Sequence, residues 1–233
     1  MQTGEQQLGW NLDAFVAPTE DPYLAGQLGA LNALSDLHVK GVAPRFAMAL
    51  LGIPGQEPPE TLYQLMMGLR KVLDAEGISL VGGHTLRTTQ LLVGLTVMGE
   101  ARSRLRAQKL ASAGEVLVLT RPLGTGILLR ADGMGKASGV QMQSLFRQLL
   151  RSQASIRVLL DLAGVSAAAD VTGFGLVVHL LGMLKISGLS AEINLSSLPV
   201  WEGVEPLLQQ KVQSTFYAQN ARNQRFLSFS LFR

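Results

Sequence analysis

Cysteine is absent from the 233 residues of this sequence. Its absence excludes a disulfide framework, a thiolate metal site and a catalytic thiol within these residues. Charged residues are also scarce, at 16% of the chain, and no run of Lys or Arg forms a basic stripe. The net charge of +3 is compatible with an anionic ligand, but the charge pattern indicates no nucleic-acid partner.

Long apolar runs and several well-known catalytic patterns are missing as well. The longest apolar stretch, near residues 176–184, is interrupted by His179 and Gly182 and is too short to cross a bilayer. With no recognisable secretory signal, these features predict a cytoplasmic protein with no membrane partner. No Gly-x-Ser-x-Gly elbow is present. The three histidines lack metal-helix spacing, so His38 and His179 are predicted to have structural or hydrogen-bonding roles.

Apolar residues and glycine, by contrast, are abundant. Apolar residues make up 47% of the chain and glycine accounts for 25 positions. This composition is typical of a folded protein, and the length suits one large domain or two domains of about 100 residues each. A charged, turn-rich region at 100–114 indicates a boundary, which predicts domains at 1–105 and 106–233.

The first half shows alternating helix and strand patterns. Asp21 followed by Pro22 is a helix start, and the leucines after it form one apolar face. The stripe within 61–76 predicts a second helix, ended by Gly77. Strands are predicted at 8–16, 47–53, 78–81 and 91–98.

The second half is harder to interpret. Strands are predicted at 116–120, 168–171 and 191–195, and helices at 144–163 and 176–188. The loose alternation of strands and helices across the whole chain predicts an α+β or mixed α/β fold.

Three aspartates lie in apolar or glycine-rich surroundings rather than on charged faces: Asp13, Asp36 and Asp170. A buried carboxylate is costly unless a donor or a metal accompanies it. Mg²⁺ is bound by a few carboxylates together with phosphate oxygens, so these residues are candidate metal ligands. The alternative is that each aspartate caps a helix or satisfies a turn.

Three glycine-containing segments each follow a predicted strand, where backbone N–H groups can face a phosphate. None matches a Walker A loop or a dinucleotide fingerprint, so ordinary tight turns are the alternative. The segments are Gly82-Gly83-His84, Gly124-Thr125-Gly126 and Gly173-Phe174-Gly175.

Several segments taken together resemble one enzyme family. They include Asn-Ala-Leu-Ser-Asp at 32–36, Thr-Arg-Pro-Leu-Gly-Thr-Gly at 120–126 and Asp-Val-Thr-Gly-Phe-Gly-Leu at 170–176. Their order and spacing resemble selenophosphate synthetase (selenide, water dikinase), a member of the aminoimidazole ribonucleotide synthetase-like superfamily. The resemblance covers most of the chain.

This resemblance implies a two-domain fold. The N-terminal halves of a homodimer pair their sheets into a central β-barrel, and an α+β domain follows. It also implies an ATP- and Mg²⁺-dependent enzyme that phosphorylates selenide, giving selenophosphate, AMP and phosphate. ATP and selenide are then the substrates.

The resemblance further assigns residues to the nucleotide and the metal. The nucleotide contacts it implies are Asp13, Asp36, Gly82, Gly83 and His84, and the metal ligands are Asp36 and Asp170.

No catalytic residue is assigned. The family's catalytic Cys or selenocysteine, its nearby Lys and its first Mg-binding Asp would all precede residue 1. We therefore expect these 233 residues alone to be inactive in selenide phosphorylation. Two alternatives stay open: a non-catalytic nucleotide-binding or scaffold paralogue, and another kinase or synthetase of the superfamily, such as thiamine monophosphate kinase.

Overall fold

A four-stranded sheet with two helices on one face organises the first part of the chain. The computed structural model describes residues 7–101, 110–162 and 164–228. These residues divide into two units. The first holds 7–101 together with the segment 149–168, and the second holds 110–148 and 169–228.

The sheet has the strand order β1-β4-β2-β3. Strand β4 runs antiparallel to both β1 and β2, whereas β2 and β3 are parallel. The strands predicted at 8–16, 47–53 and 91–98 are confirmed. The strand bounds are β1 Gln7–Val16, β2 Val42–Pro54, β3 Ser79–Thr88 and β4 Leu92–Ala101.

Helices α1 (Pro22–Val39) and α2 (Pro59–Ala75) confirm the two predicted helices of this half. Asp21 caps α1, its carboxylate accepting a hydrogen bond from the Leu24 N–H at 3.0 Å. The prediction of a single apolar face on α1 is wrong. Polar Gln27 and Ser35 are buried too, because α1 packs against the sheet on one side and against α2 on the other.

Glycine permits this packing. A Cβ atom at Gly26 would overlap the Leu65 carbonyl of α2, and one at Gly68 would overlap the Tyr23 carbonyl of α1. The backbones of the two helices therefore touch without intervening side chains. Gly29 similarly leaves room for Val93 of the sheet.

The second half is mainly helical in its described residues. Its helices are α3 Thr125–Asp132, α4 Gly139–Leu149, α5 Ser155–Leu162, α6 Gly175–Ser187, α7 Val204–Gln209 and α8 Tyr217–Ala221. Helix α6 confirms the prediction at 176–188. The helix predicted at 144–163 is instead two helices, α4 and α5. Between them the Ser152 hydroxyl accepts a hydrogen bond from the Ala154 N–H and forms a local turn.

The strands predicted at 116–120, 168–171 and 191–195 do not form. Strands need hydrogen-bonded neighbours, and in the described part of the second unit the structure gives only one isolated bridge, between Leu123 and Val200. Val116 and Val118 are accordingly 86% and 82% exposed. Within the described ranges, no helix has the length and apolarity needed to span a membrane.

A buried contact between His38 and Glu76 joins the ends of α1 and α2 to the segment 149–168. The His38 Nε2 lies 3.1 Å from the Glu76 carboxylate, and the Ser152 hydroxyl donates to the same carboxylate at 2.5 Å. Burial favours the neutral acid, but hydrogen bonds from His38 and Ser152, with the charges of His38 and Arg157, lower the pKa of Glu76 overall. The pair therefore stabilises the fold above the ordinary carboxylate range, and this contribution is lost as the pH falls through the lowered pKa.

We predict that Gly68→Ala destabilises the first unit by about 3 kcal/mol, because the new methyl group must push two helix backbones apart. Urea unfolding followed by circular dichroism measures the change. Gly55→Ala is the matched control, since a Cβ there meets nothing within 4 Å. If the two variants are equally stable, α1 and α2 do not depend on this contact.

Candidate functional site

Asp13 and Asp36, two of the predicted site residues, are both related to Asn32: the first by a hydrogen bond and the second by its place on the same helix. Asp13 is on β1 and its carboxylate accepts a hydrogen bond from the Asn32 side-chain amide of α1. Asn32 and Asp36 are four residues apart on α1 and therefore share one face of the helix. The structure thus brings Asp13 and Asp36 to the same side of the first unit.

Strand β1 places Asp13 toward α1 because its polar and apolar residues alternate. Asn11 and Asp13 both face the helix, and the Asn11 amide donates to the Ala33 carbonyl at 3.3 Å. Trp10 and Leu12 point to the opposite face and are 71% and 64% exposed. The inner face of this strand is thus polar and anchored to α1.

Asp36 has a cationic neighbour. The Lys40 ammonium, at the C-cap of α1, lies 3.4 Å from the Asp36 carboxylate. Both side chains are partly exposed, so the pair adds little stability. It does place a positive charge beside the carboxylate proposed to receive a metal.

The segment Gly82-Gly83-His84 is not the turn that its sequence predicts. Strand β3 continues through it to Thr88, because its parallel partner β2 supplies hydrogen bonds as far as Pro54. Gly83 is needed there, since a Cβ atom would overlap the Ala49 carbonyl. All three residues are exposed on an edge strand.

Within one copy the two halves of the predicted nucleotide site are apart. Strands β4 and β2 lie between β1 and β3, which puts Asp13 and Gly82–His84 about 14 Å apart across the sheet. Gly82 and His84 also lie on the other face of the sheet from Asp13, whereas Gly83 pairs with the inward Ala49. His84 pairs with Leu50 and neighbours the outward Met48, whereas Asp13 points inward to α1.

Asp170 belongs to the second unit and is half-buried in the loop that precedes α6. His179 of α6 contacts this loop: the Thr172 N–H donates to its Nε2 at 3.2 Å. Structural or hydrogen-bonding roles are predicted for His38 and His179: His179 accepts this hydrogen bond, and the buried His38 contacts the Glu76 carboxylate. The sequence reasoning missed Asn32, although its four-residue spacing from Asp36 could have revealed it.

Among the described residues, no group of three or more His, Asp or Glu side chains could hold a metal ion. Mg²⁺ does not require such a group, because it commonly binds one or two carboxylates together with waters and substrate phosphates. Asp36 in the first unit and Asp170 in the second each carry carboxylate oxygens of the kind that this mode uses. The chemistry of these two predicted ligands therefore fits a cation carried by a nucleotide.

Comparison with known proteins assigns the chain to a family. Residues 1–101 match "AIR synthase related protein, N-terminal domain", and residues 112–220 match "AIR synthase related protein, C-terminal domain". The chain belongs to the AIR synthase related family. Its α+β fold and the resemblance drawn from its motifs are confirmed.

Relatives with curated descriptions are named selenide, water dikinase. The Pseudomonas putida protein is 39% identical over 203 residues, which are 85% of this chain and 58% of that protein. The Burkholderia ambifaria protein is 36% identical over 213 residues, which are 89% of this chain and 59% of that protein. The chain thus spans less than two thirds of these relatives.

Solved structures support the family fold. Thiamine-monophosphate kinase from Stenotrophomonas maltophilia superposes with a TM-score of 0.75 at 24% identity, covering 90% of this chain and 70% of that one. The E. coli hydrogenase maturation protein HypE gives 0.73 at 21% identity, covering 91% of this chain and 68% of HypE.

We predict that Asn32→Asp destabilises the first unit by about 1–3 kcal/mol at neutral pH, because it sets a second carboxylate against Asp13. Repulsion raises the pKa of the pair above that in the unfolded chain, so part of the stability returns as the pH falls through that raised pKa. Urea unfolding at several pH values measures this. Asn32→Ala, which loses the donor without adding charge, should show no such recovery. Equal stability of both variants at neutral pH would contradict the contact.

Proposed function

We propose that this chain is the nucleotide- and metal-binding part of a selenophosphate synthetase-type phosphotransferase. The Asp13–Asn32–Asp36 arrangement carries the proposal, because it holds two of the predicted site carboxylates on one side of the first unit. The 35–39% identity to proteins named selenide, water dikinase supports the substrate class. The proposed setting is the cytoplasm, with ATP and selenide as substrates.

Phosphoryl transfer requires the charge of a polyphosphate to be neutralised and its oxygens to be oriented, with little covalent chemistry from the protein. We assign metal binding to Asp36 in the first unit and to Asp170 in the second, and nucleotide contact to Asp13 and Asp36. Bound Mg²⁺ would supply positive charge at the phosphates. Asn32 keeps the Asp13 carboxylate in place, and Lys40 adds a positive charge beside Asp36.

Transfer to selenide, which yields selenophosphate, AMP and phosphate, needs more than these groups. The family resemblance assigns that step to a Cys or selenocysteine and a Lys, and this sequence contains no cysteine. We therefore propose that the 233 residues bind magnesium nucleotide and do not complete the selenide reaction by themselves.

A homodimer would bring the separated halves of the nucleotide site together. The outer face of the sheet, opposite α1 and α2, is apolar and uncovered within the described chain. An exposed apolar face of this kind marks an interaction surface. Its large members are Leu8, Trp10, Leu12, Val16, Phe46, Met48, Leu86 and Met98.

We propose that this outer face packs against the same face of a second copy. Gly82 and His84 lie on the outer face beside Met48 and Leu50. A second sheet would bring its own glycine segment toward the β1 edge of the first copy. The nucleotide would then contact Asp13 of one copy and Gly82-Gly83-His84 of the other.

We predict that Asp36→Asn weakens Mg-dependent ATP binding more than tenfold, a loss of at least about 1.4 kcal/mol, because a neutral amide is a poor magnesium ligand. Isothermal titration calorimetry with ATP and MgCl₂ measures the affinity, and thermal unfolding checks the fold. Asp74→Asn, an exposed carboxylate on α2, is the control and should bind as wild type does.

Unchanged binding in Asp36→Asn would make Asp36 a structural residue. No binding by the folded wild-type chain at millimolar nucleotide would support the scaffold alternative. Phosphorylation of thiamine monophosphate by the chain would instead show that it is a different kinase of the superfamily.

We predict that Trp10→Glu converts a dimer to a monomer, because the substitution puts a charge into the proposed apolar interface. Size-exclusion chromatography with light scattering reports the mass at matched concentrations. Tyr63→Glu alters an exposed aromatic residue on α2, away from this face, and should leave the dimer intact. A monomeric wild-type chain at tens of micromolar would contradict the proposal.

A further inference from the structure

The loop that carries Asp170 is not held by a sheet. Residues 165–172 form no strand, yet a loop that positions a metal ligand must have its backbone fixed by some other means. The hydrogen bonds and packing of residues 170–175, the Asp170 loop, show what fixes it.

One side of the loop is held by His179. The Thr172 N–H lies 3.2 Å from His179 Nε2, and the Thr172 hydroxyl lies 3.1 Å from the same nitrogen. A backbone N–H can only donate, so Nε2 must be the unprotonated nitrogen of the ring. His179 therefore fixes the loop backbone two residues after Asp170.

The other side is held by α8. The Asn220 side-chain amide donates to the Gly173 carbonyl at 3.0 Å. The Phe216 ring packs against Gly173 so closely that a Cβ atom there would come within 2.9 Å of it. Phe174 lies between the two holding elements, with ring centroids 6.3 Å from His179 and 6.1 Å from Phe216. The loop then enters α6 through Gly175, whose φ of +80° favours glycine.

We infer that His179 of α6 and Asn220 of α8 are positioning residues. Their hydrogen bonds to the backbone of the Asp170 loop fix the position of the Asp170 carboxylate. This inference rests on the proposed role of Asp170 as a metal ligand. Neither side chain needs to touch the cation. Each acts on the backbone next to the ligand, as outer-shell partners of metal sites commonly do.

Two readouts on the full chain test the inference. Hydrogen–deuterium exchange reports whether the loop is held, independently of any metal. Electron paramagnetic resonance titration with Mn²⁺ in the presence of ATP reports cation affinity. His179→Leu and Asn220→Leu should each speed exchange in peptides covering 170–175 and weaken Mn²⁺ binding about tenfold.

Rescue separates positioning from general stability. In His179→Gln the side-chain carbonyl can still accept the Thr172 N–H, so Mn²⁺ affinity should stay within about twofold of wild type. Ile186→Ala, at an exposed site near the other end of α6, should change neither readout. If His179→Leu fails to fold, Asn220→Leu and His179→Gln still provide the comparison.

Asp170→Asn distinguishes the failure of each claim. If it leaves Mn²⁺ affinity unchanged, the metal role proposed for Asp170 is wrong and the positioning role fails with it. If Asp170→Asn weakens binding while His179→Leu and Asn220→Leu do not, only the positioning inference is overturned. Unchanged exchange in both leucine variants would show that the two side chains do not hold the loop.

Discussion

The close contact between α1 and α2 is the constraint on which the first unit depends. Glycine at 26 and 68 lets the two helix backbones touch, and Gly29 lets α1 approach Val93 of the sheet. Interiors are packed densely enough that such a contact fixes position closely. Because α1 also carries Asn32 and Asp36, the packing of three glycines determines where the candidate ligands stand relative to Asp13.

Locally encoded features could be predicted from the sequence. Asp21 followed by Pro22 marks the start of α1, and the apolar stripe of α2 gives its extent, because capping and helical periodicity depend on neighbouring residues. The family also follows from short motifs whose order is visible in the sequence. Features that depend on distant partners could not be predicted. Strand β3 runs past Gly82 only because β2 lies beside it, and residues 116–120 fail to form a strand where no neighbour pairs with them.

The candidate site follows the same division. Asp13, Asp36 and Asp170 can be picked out from their surroundings in the sequence, but the sequence does not show that Asn32, on the same helix face as Asp36, bonds Asp13. Nor does it show that Gly82-Gly83-His84 lies on the far edge of the sheet, with Gly82 and His84 on the opposite face. Residue type gives the chemistry available, whereas strand order decides which groups can meet. The apolar outer face and the separation of the two halves of the site both favour the proposed homodimer, in which the sheets of two copies face each other.

The buried pair of His38 and Glu76 has a consequence for how this protein can be divided or recombined. The family match changes from one domain to the next between residues 101 and 112, yet Ser152 and Arg157 complete the surroundings of Glu76 from beyond that point. A gene fusion or exchange at the family boundary would keep the whole sheet and both of its helices. It would also remove the hydrogen bond from Ser152 and the nearby charge of Arg157 from the Glu76 carboxylate. The boundary in the family match therefore leaves out part of the first structural unit, and we expect an exchange that carries the segment 149–168 with that unit to be the more stable one.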